Sequence, residues 1–276
     1  MIDPYEKDWL EQLTKRIENM SEDTRMYLLI DGAFIPGLFR SRALHDAGRV
    51  SLLFEALPSC NEQTRDVSPF LLPVEQVSRS CAAGLQKCSG WPMVSAIETT
   101  ESCAELCDRL AAWCIIEIDD QRFNFRFPDT RRLPKIFDTL TSQQRAAMAG
   151  PASRWSYIGR DGKWEELIVE GAPSEIVSQP SLNDAQFAAL VNDSEPDEVL
   201  VQLAYRGYEP TGLPSLTHAR TCMALRVADA VKLPESLRVD WCQCILQHKT
   251  ALTELDALPY ISTWRTAQEP LFLEER

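Results

Sequence analysis

The sequence has 276 residues, of which 45% are hydrophobic and 25% are charged, and its formal net charge is -13. This length suits one large domain or two lobes, and this composition excludes a disordered chain and a disulfide scaffold. The negative charge argues against nucleic acid or an anionic membrane surface as a partner, because both bind positively charged protein surfaces.

The cellular location is predicted from two absences and from the cysteines. The sequence shows no signal peptide, and no apolar run approaches the roughly 20 residues that a bilayer requires. The nine cysteines are an odd number scattered along the chain, which favours free, mostly buried thiols in a reducing compartment. We therefore expect a cytoplasmic protein.

The first part of the chain alternates helical and strand-like segments. Asp3 and Pro4 predict the start of a first helix, whose apolar positions continue to Met20. Short apolar runs, which predict strands, follow at 26–31, 50–54, 70–74 and 92–98. Such alternation indicates a sheet with helices packed on it.

Two hairpins are predicted further along. The strands IIEID and FNFRF flank residues 120–122, and the strands RWSYIG and KWEELIVE flank the turn pair Asp161-Gly162. Within FNFRF, the period of two places the three phenylalanines on one face and Arg126 on the other.

Two helical stretches are predicted around the first hairpin. The threonine pair at 99–100 supplies cap candidates for a helix over 101–113. After the hairpin, a helical stretch is broken at Pro134 and resumes with Thr141 as its cap and Gly150 as its C-terminal stop.

The chain changes character after Pro180, where only helical spacing is found. Four such segments follow one another, at 181–191, 195–207, 215–231 and 234–255. Because Pro, Gly and Ser concentrate at 171–181, we place the domain boundary there. The predicted organisation is an α/β (α+β) lobe over 1–178, with a mixed sheet flanked by helices, and a small all-helical lobe over 179–276.

A basic cluster stands out in this acidic chain. Around a single acid, Asp129, the segment places Arg122, Arg126, Arg131, Arg132 and Lys135. An aspartate between two arginines can accept charge-assisted hydrogen bonds while the guanidiniums bind loop carbonyls, which would clamp a strand-to-helix junction. The segment alone also leaves a phosphate site open.

No catalytic motif is present in the sequence. We find neither a glycine-rich phosphate loop nor a G-x-S-x-G nucleophile elbow. His45 could accept a proton from a nearby serine or cysteine, but nothing in the sequence places one beside it. Asp119 and Asp120 fall at a predicted hairpin tip, where turn geometry explains the pair. We therefore expect no catalytic residues.

One zinc arrangement is allowed by the spacing. His218 with Cys222, and Cys244 with His248, are i, i+4 pairs that each line one face of a predicted helix. The same faces carry apolar residues, and cysteine is commonly a small core residue, so core packing is the favoured interpretation. We expect no cofactor and keep zinc as the alternative.

The basic cluster also carries a family resemblance. The stretch FRFPDTRRL, followed by a Gly-Pro pair and a tryptophan, resembles the signature F-R-[FY]-[YW]-D-P-R of the type VI secretion effector chaperone (adaptor) domain. The matching positions are Phe125, Arg126, Phe127, Asp129, Arg131, Gly150, Pro151 and Trp155. Pro128 and Thr130 depart from the usual aromatic residue and proline.

Earlier blocks of the chain support the same resemblance. YLLIDGA at 27–33, LLFEALP at 52–58 and SPFLLPV at 68–74 are similar to the first blocks of that domain, in the expected order. The segment around Gly90-Trp91 is similar to the next block. The resemblance covers about residues 26–158.

The resemblance implies a non-enzymatic adaptor in the cytoplasm. Such a protein binds a secreted toxin effector, stabilises it and helps to load it onto the valine-glycine-repeat spike. The cluster of Arg126, Asp129 and Arg131 would then be structural. The alternatives are a zinc- or ligand-dependent regulatory module and an enzyme of a type that these motifs do not reveal.

Overall fold

The computed structural model describes residues 1–45, 49–118, 121–172 and 175–268. The chain forms two compact units, which we call the sheet unit (residues 1–191) and the helical unit (residues 192 onward). The division lies inside a long helix, between residues 191 and 192. The sequence predicts the boundary earlier, after residue 178. The predicted fold class, a mixed α/β region followed by a helical C-terminal region, is confirmed.

Strands and helices are numbered in chain order. The strands are β1 Arg25–Ile30, β2 Ser51–Leu52, β3 Phe70–Pro73, β4 Val94–Thr99, β5 Ile115–Ile118, β6 Gln121–Asn124, β7 Arg154–Ile158 and β8 Trp164–Leu167. The helices are α1 Trp9–Glu18, α2 Arg42–His45, α3 Glu62–Asp66, α4 Arg79–Leu85, α5 Cys103–Ala112, α6 Leu133–Thr139, α7 Ser142–Ala149, α8 Asp184–Tyr205, α9 Pro214–Ala230, α10 Glu235–Gln247 and α11 Glu254–Gln268. Across the part of the chain that the structure describes, no helix combines the length and apolar character needed to cross a bilayer.

The main sheet of the described residues has six strands in the order β2-β3-β1-β4-β7-β8. All its strand pairs are antiparallel, whereas we predicted a mixed sheet. The alternation of strands and helices along a chain does not fix strand direction, which explains the difference. Strands β5 and β6 form a separate hairpin, as the sequence predicts.

Apolar clusters cover both faces of the main sheet along its central strands. Along β1, Tyr27 and Leu29 belong to one core cluster, while Leu28 and Ile30 belong to the other. Helices α5, α6 and α7 supply apolar residues to the first cluster, and helices α1 and α4 supply them to the second. Burial on two faces explains why β1 is apolar throughout instead of alternating with polar residues.

The N-terminal segment is extended, so the prediction of a helix starting at Asp3 is wrong. The backbone N–H groups of Ile2, Asp3 and Glu6 donate to the carbonyls of Gly90, Arg160 and Gly162 at 3.0–3.1 Å. The Ile2 side chain is 1% exposed. These long-range contacts hold the segment against the sheet unit, and α1 begins only at Trp9.

Helix caps follow the sequence signals in part. Thr141 caps α7 through a capping box and Gly150 ends this helix, as predicted. Ser102, rather than a threonine at 99–100, caps α5. Pro134 lies in the first turn of α6 and does not interrupt a helix, because proline fits the first turn without losing a hydrogen bond.

The C-terminal helices are divided differently from the prediction. The segments 181–191 and 195–207 form one helix, α8, with Pro196 inside it. The predicted helix over 234–255 is split between α10 and α11, with Pro259 inside α11. The helical unit packs around Trp241, which is fully buried and donates its indole N–H to the carbonyl of Ala224 at 2.9 Å.

Candidate functional site

Asp129 lies in the loop that connects β6 to α6 and is 3% exposed. Its carboxylate accepts three hydrogen bonds from Arg131, from the backbone N–H at 3.1 Å, from Nε at 3.0 Å and from Nη2 at 2.7 Å. Its backbone carbonyl accepts from the N–H groups of Arg132 and Leu133, at the start of α6. Asp129 therefore links the loop to the first turn of the helix through both side chain and backbone.

Arg126 pairs with a different acid. Its Nη2 atom lies 2.9 Å from Oδ2 of Asp31, which is 95 residues away in sequence and follows β1 directly. The other oxygen of Asp31 accepts from the backbone N–H of Ala33 at 3.0 Å. Burial raises the pKa of Asp31, and the positive charge of Arg126 opposes this effect. The basic cluster thus contains two separate ion pairs.

Phe34 connects these two pairs. Its ring centroid lies 5.5 Å from the guanidinium carbon of Arg126 and 5.6 Å from that of Arg131. The ring also contacts Trp91, with centroids 5.8 Å apart. Cations at this distance are attracted to the face of an aromatic ring. We call Asp31, Phe34, Arg126, Asp129 and Arg131 the junction cluster.

Sequence reasoning missed two members of the junction cluster. It placed Asp31 only at the end of an apolar run and attached no role to Phe34. The available signal was a charged residue at the end of an apolar strand, since a buried carboxylate needs a partner.

The geometry of the junction cluster disfavours the phosphate site. Carboxylates already accept from the guanidiniums of Arg126 and Arg131. The adjoining cavity, lined in part by Asp31, Phe125 and Pro128, has a volume of about 60 Å³. A space of this size holds a few water molecules.

A third ion pair, which is buried, explains the glycine at position 150. Arg109, 4% exposed, donates to Oε1 of Glu101 from Nε at 2.9 Å and from Nη2 at 2.6 Å, and to the carbonyl of Ala147 at 3.0 Å. Gly150 has φ +55°, and a Cβ at this position would lie 2.5 Å from Nε of Arg109. A larger residue at 150 would therefore strain the backbone and displace the arginine.

The aromatic residues of the signature are core residues. Trp155 is fully buried on β7 and donates its indole N–H to Oγ of Ser95 on β4 at 3.2 Å. Phe123, Phe125 and Phe127 contribute to the same core cluster, although β6 ends at Asn124. Pro151 follows Gly150 and is partly exposed.

The four zinc candidates do not form one site. His248 lies beyond the end of α10, and its ring contacts Tyr260, so the expected helical pairing with Cys244 is wrong. The Cys244 thiol lies 3.3 Å from the hydroxyl of Tyr260. His218 and Cys222 contact each other at 3.6 Å. In the described ranges, no group of three or more His, Cys, Asp or Glu residues is arranged to hold a metal ion.

The remaining candidates from the sequence are the cysteines, His45 and the pair Asp119 and Asp120. Four of the nine cysteines are buried and five are partly exposed, so fewer than half fit the expected buried class. The side chain of His45 and the residues Asp119 and Asp120 lie outside the described part of the structure.

The comparisons with known proteins give one match. Residues 26–147 match the family model described as "Domain of unknown function (DUF4123)". The matched region contains the junction cluster and the Arg109–Glu101 pair, while Gly150, Pro151 and Trp155 lie beyond its end. No curated protein and no solved structure matches the chain.

Proposed function

We propose that this chain is a non-enzymatic cytoplasmic adaptor of a type VI secretion system. It binds a secreted toxin effector, stabilises it and helps to load it onto the valine-glycine-repeat spike. The observation that carries the proposal is the family match over 26–147, because it falls within the region, 26–158, whose motifs resemble the effector chaperone domain. The matched family has no described function, so the role itself comes from the resemblance.

The position of the signature residues supports a scaffold role. Asp129 and Arg131 bind each other, Arg126 binds Asp31, and Trp155 is inside the core. These residues fix a loop and the start of a helix. A scaffold of this kind presents its outer surface to a partner.

The sheet unit also offers surface cavities of a size that suits protein segments. One, of about 760 Å³, lies beside β2 and α5 and is lined in part by Phe39, Leu52 and Asp108. Another, of about 410 Å³, lies beside α6 and β8. Both are lined by apolar as well as charged residues.

The first test is affinity capture of the full chain from its native cytoplasm, followed by mass spectrometry. Recovery of a large toxin-like protein, alone or with a spike component, is the expected result. Recovery of neither, from cells shown to secrete through this apparatus, would contradict the proposal.

A second test separates an adaptor from a passive binder. Deletion of the gene should lower both the cellular level and the secretion of the captured toxin, because the toxin loses its stabilising and loading partner. Secretion of an unrelated effector by the same apparatus is the control and should continue. Unchanged toxin level and secretion in the deletion strain would overturn the adaptor role.

A further inference from the structure

Strand β8 leaves one side of its backbone without a neighbouring strand in the described residues. Gly159 donates its N–H to the carbonyl of Lys163 at 2.8 Å. Together with the register of β7 and β8, this bond determines which residue pairs of the two strands exchange backbone hydrogen bonds. Antiparallel pairs alternate between bonded and non-bonded residues, so Glu165 and Leu167 bond to β7. The backbone groups of Trp164 and Glu166 therefore point outward, where a further strand could pair with them.

A cavity of about 410 Å³ runs beside this open edge. Its apolar lining comes from α6, β7 and β8, in particular from Phe137, Tyr157 and Leu167. Just past β8, Ile168 also lines the cavity and is 91% exposed. An extended segment paired with β8 would direct every second side chain over this apolar surface.

Carboxylates surround the apolar part of the cavity. Asp138 and Glu170 line it and are exposed to solvent. Arg145 lines it as well, but its guanidinium donates to the carbonyls of Phe137 and Leu140. A side chain with an aliphatic stem and a cationic tip fits this combination, because the stem covers apolar surface while the tip reaches a carboxylate.

The charges of the strand itself argue against a second copy of this chain as the occupant. Glu165 and Glu166 are adjacent and exposed on β8. Two β8 edges placed side by side would bring like charges opposite one another, which destabilises strand pairing. A basic segment meets no such repulsion.

We propose that β8 binds an extended segment of a protein partner that has Lys or Arg at every second position. The segment adds a strand at this edge of the sheet, and its basic side chains lie along the cavity toward Asp138 and Glu170. This inference depends on the proposed function only in taking the partner to be a protein.

The test uses the full chain, labelled with ¹⁵N, and an eight-residue peptide of alternating lysine and threonine. We expect amide shift changes centred on residues 164–168 and on Phe137. A peptide of alternating glutamate and threonine is the charge control. The lysine–threonine peptide with N-methyl groups at alternate positions removes backbone donors while keeping the charge, and should lose most of its affinity.

A charge-reversal variant sharpens the test. Asp138→Lys combined with Glu170→Lys should weaken binding of the lysine–threonine peptide by about tenfold. The matched control is Glu22→Lys with Asp23→Lys, which reverses two exposed charges on the turn before β1 and should leave the affinity unchanged. The unfolding midpoint of each variant shows whether it folds like the wild type.

Three results would overturn the inference: no shift changes at 164–168, equal affinity in the Asp138 and Glu170 variant, or equal affinity of the N-methylated peptide. The two proposals can fail separately. Capture of a toxin without peptide binding at β8 leaves the adaptor proposal and removes this one. Peptide binding at β8 without any captured toxin leaves this inference and removes the adaptor proposal.

Discussion

In the sheet unit, Glu101, Asp31 and Asp129 are buried, and each has an arginine partner. In the helical unit, the ion pairs of Arg206, Arg226 and Arg238 have carboxylates that are at least 39% exposed. A buried carboxylate that loses its partner is strongly destabilising, whereas an exposed pair contributes little. The two units therefore depend on their ion pairs to different degrees.

The residues that match the effector chaperone signature all lie in the sheet unit of this comparison. Asp129 and Arg131 form a mostly buried pair, Arg126 binds the buried carboxylate of Asp31 although its own side chain is 45% exposed, and Gly150 makes room for Arg109. These residues determine the course of loops that have little regular structure. The helical unit depends more on apolar packing around Trp241.

The largest expected effect is that of Arg109→Ala. Removal of this side chain leaves Glu101 buried without its partner, so the free energy of unfolding should fall by about 3–5 kcal/mol. The matched change in the helical unit is Arg226→Ala, which breaks the exposed pair with Glu254 and should cost less than about 1 kcal/mol. Urea unfolding of both variants measures the contrast, and similar losses would refute the comparison.

Gly150→Ala should cause the second largest loss in the free energy of unfolding. The new Cβ would meet the guanidinium of Arg109 and would require a backbone conformation with positive φ, so we expect a loss of about 3 kcal/mol. Gly90→Ala is the control, because Gly90 also has positive φ but has no atom within 4 Å of the added Cβ. Thermal melts of the two variants separate the loss of stability due to the contact with Arg109 from the loss due to backbone strain. Equal losses would show that Arg109 does not constrain position 150.

Asp129→Ala should lower the free energy of unfolding by about 2–3 kcal/mol, because three hydrogen bonds to Arg131 are lost in a buried position. We expect binding of the proposed toxin partner to fall together with stability, as measured by capture and by melting temperature. Asp240→Ala, which breaks an exposed pair with Arg206, is the control. It should change neither the melting temperature nor the binding by much. Loss of binding with an unchanged melting temperature would instead make the junction cluster a contact site.

The smallest effect is a dependence on pH. Because the pKa of Asp31 is raised in the folded state, the folded protein retains a proton there that the unfolded chain releases above pH of about 4. The stability contributed by this protonated form is present below that pH and is lost as pH rises through the folded-state pKa. The unfolding free energy of the wild type, relative to Asp31→Asn, should therefore decrease as pH rises in this range. A relative increase would contradict the raised pKa.

Local signals predicted the elements that local contacts form. The β7–β8 hairpin follows from two strand-like segments around Asp161-Gly162, and the cap of α7 follows from Thr141 and its capping box. The Ser-x-x-Glu spacing at Ser102 is a similar local signal for the start of α5, and it is stronger than the threonines before it, which lack a matching acid.

Features that depend on distant partners were not predictable from one sequence. The pairing of Arg126 with Asp31 joins residues far apart in the chain, so the sequence indicates only the nearby Asp129 as a partner. The extended course of residues 1–6 depends on carbonyls of Gly90, Arg160 and Gly162, which no local pattern reveals. Arg109 lies on a helix, where a charged residue usually indicates a solvent-exposed position.

The N-terminal segment has a consequence for folding during synthesis. Ile2, Asp3 and Glu6 are made about 160 residues before two of their three backbone partners, Arg160 and Gly162. At ordinary rates of translation this delay is roughly 10–30 s. Throughout that time the apolar Ile2 side chain lacks its final, buried environment, so this segment of the nascent chain can be bound by general chaperones.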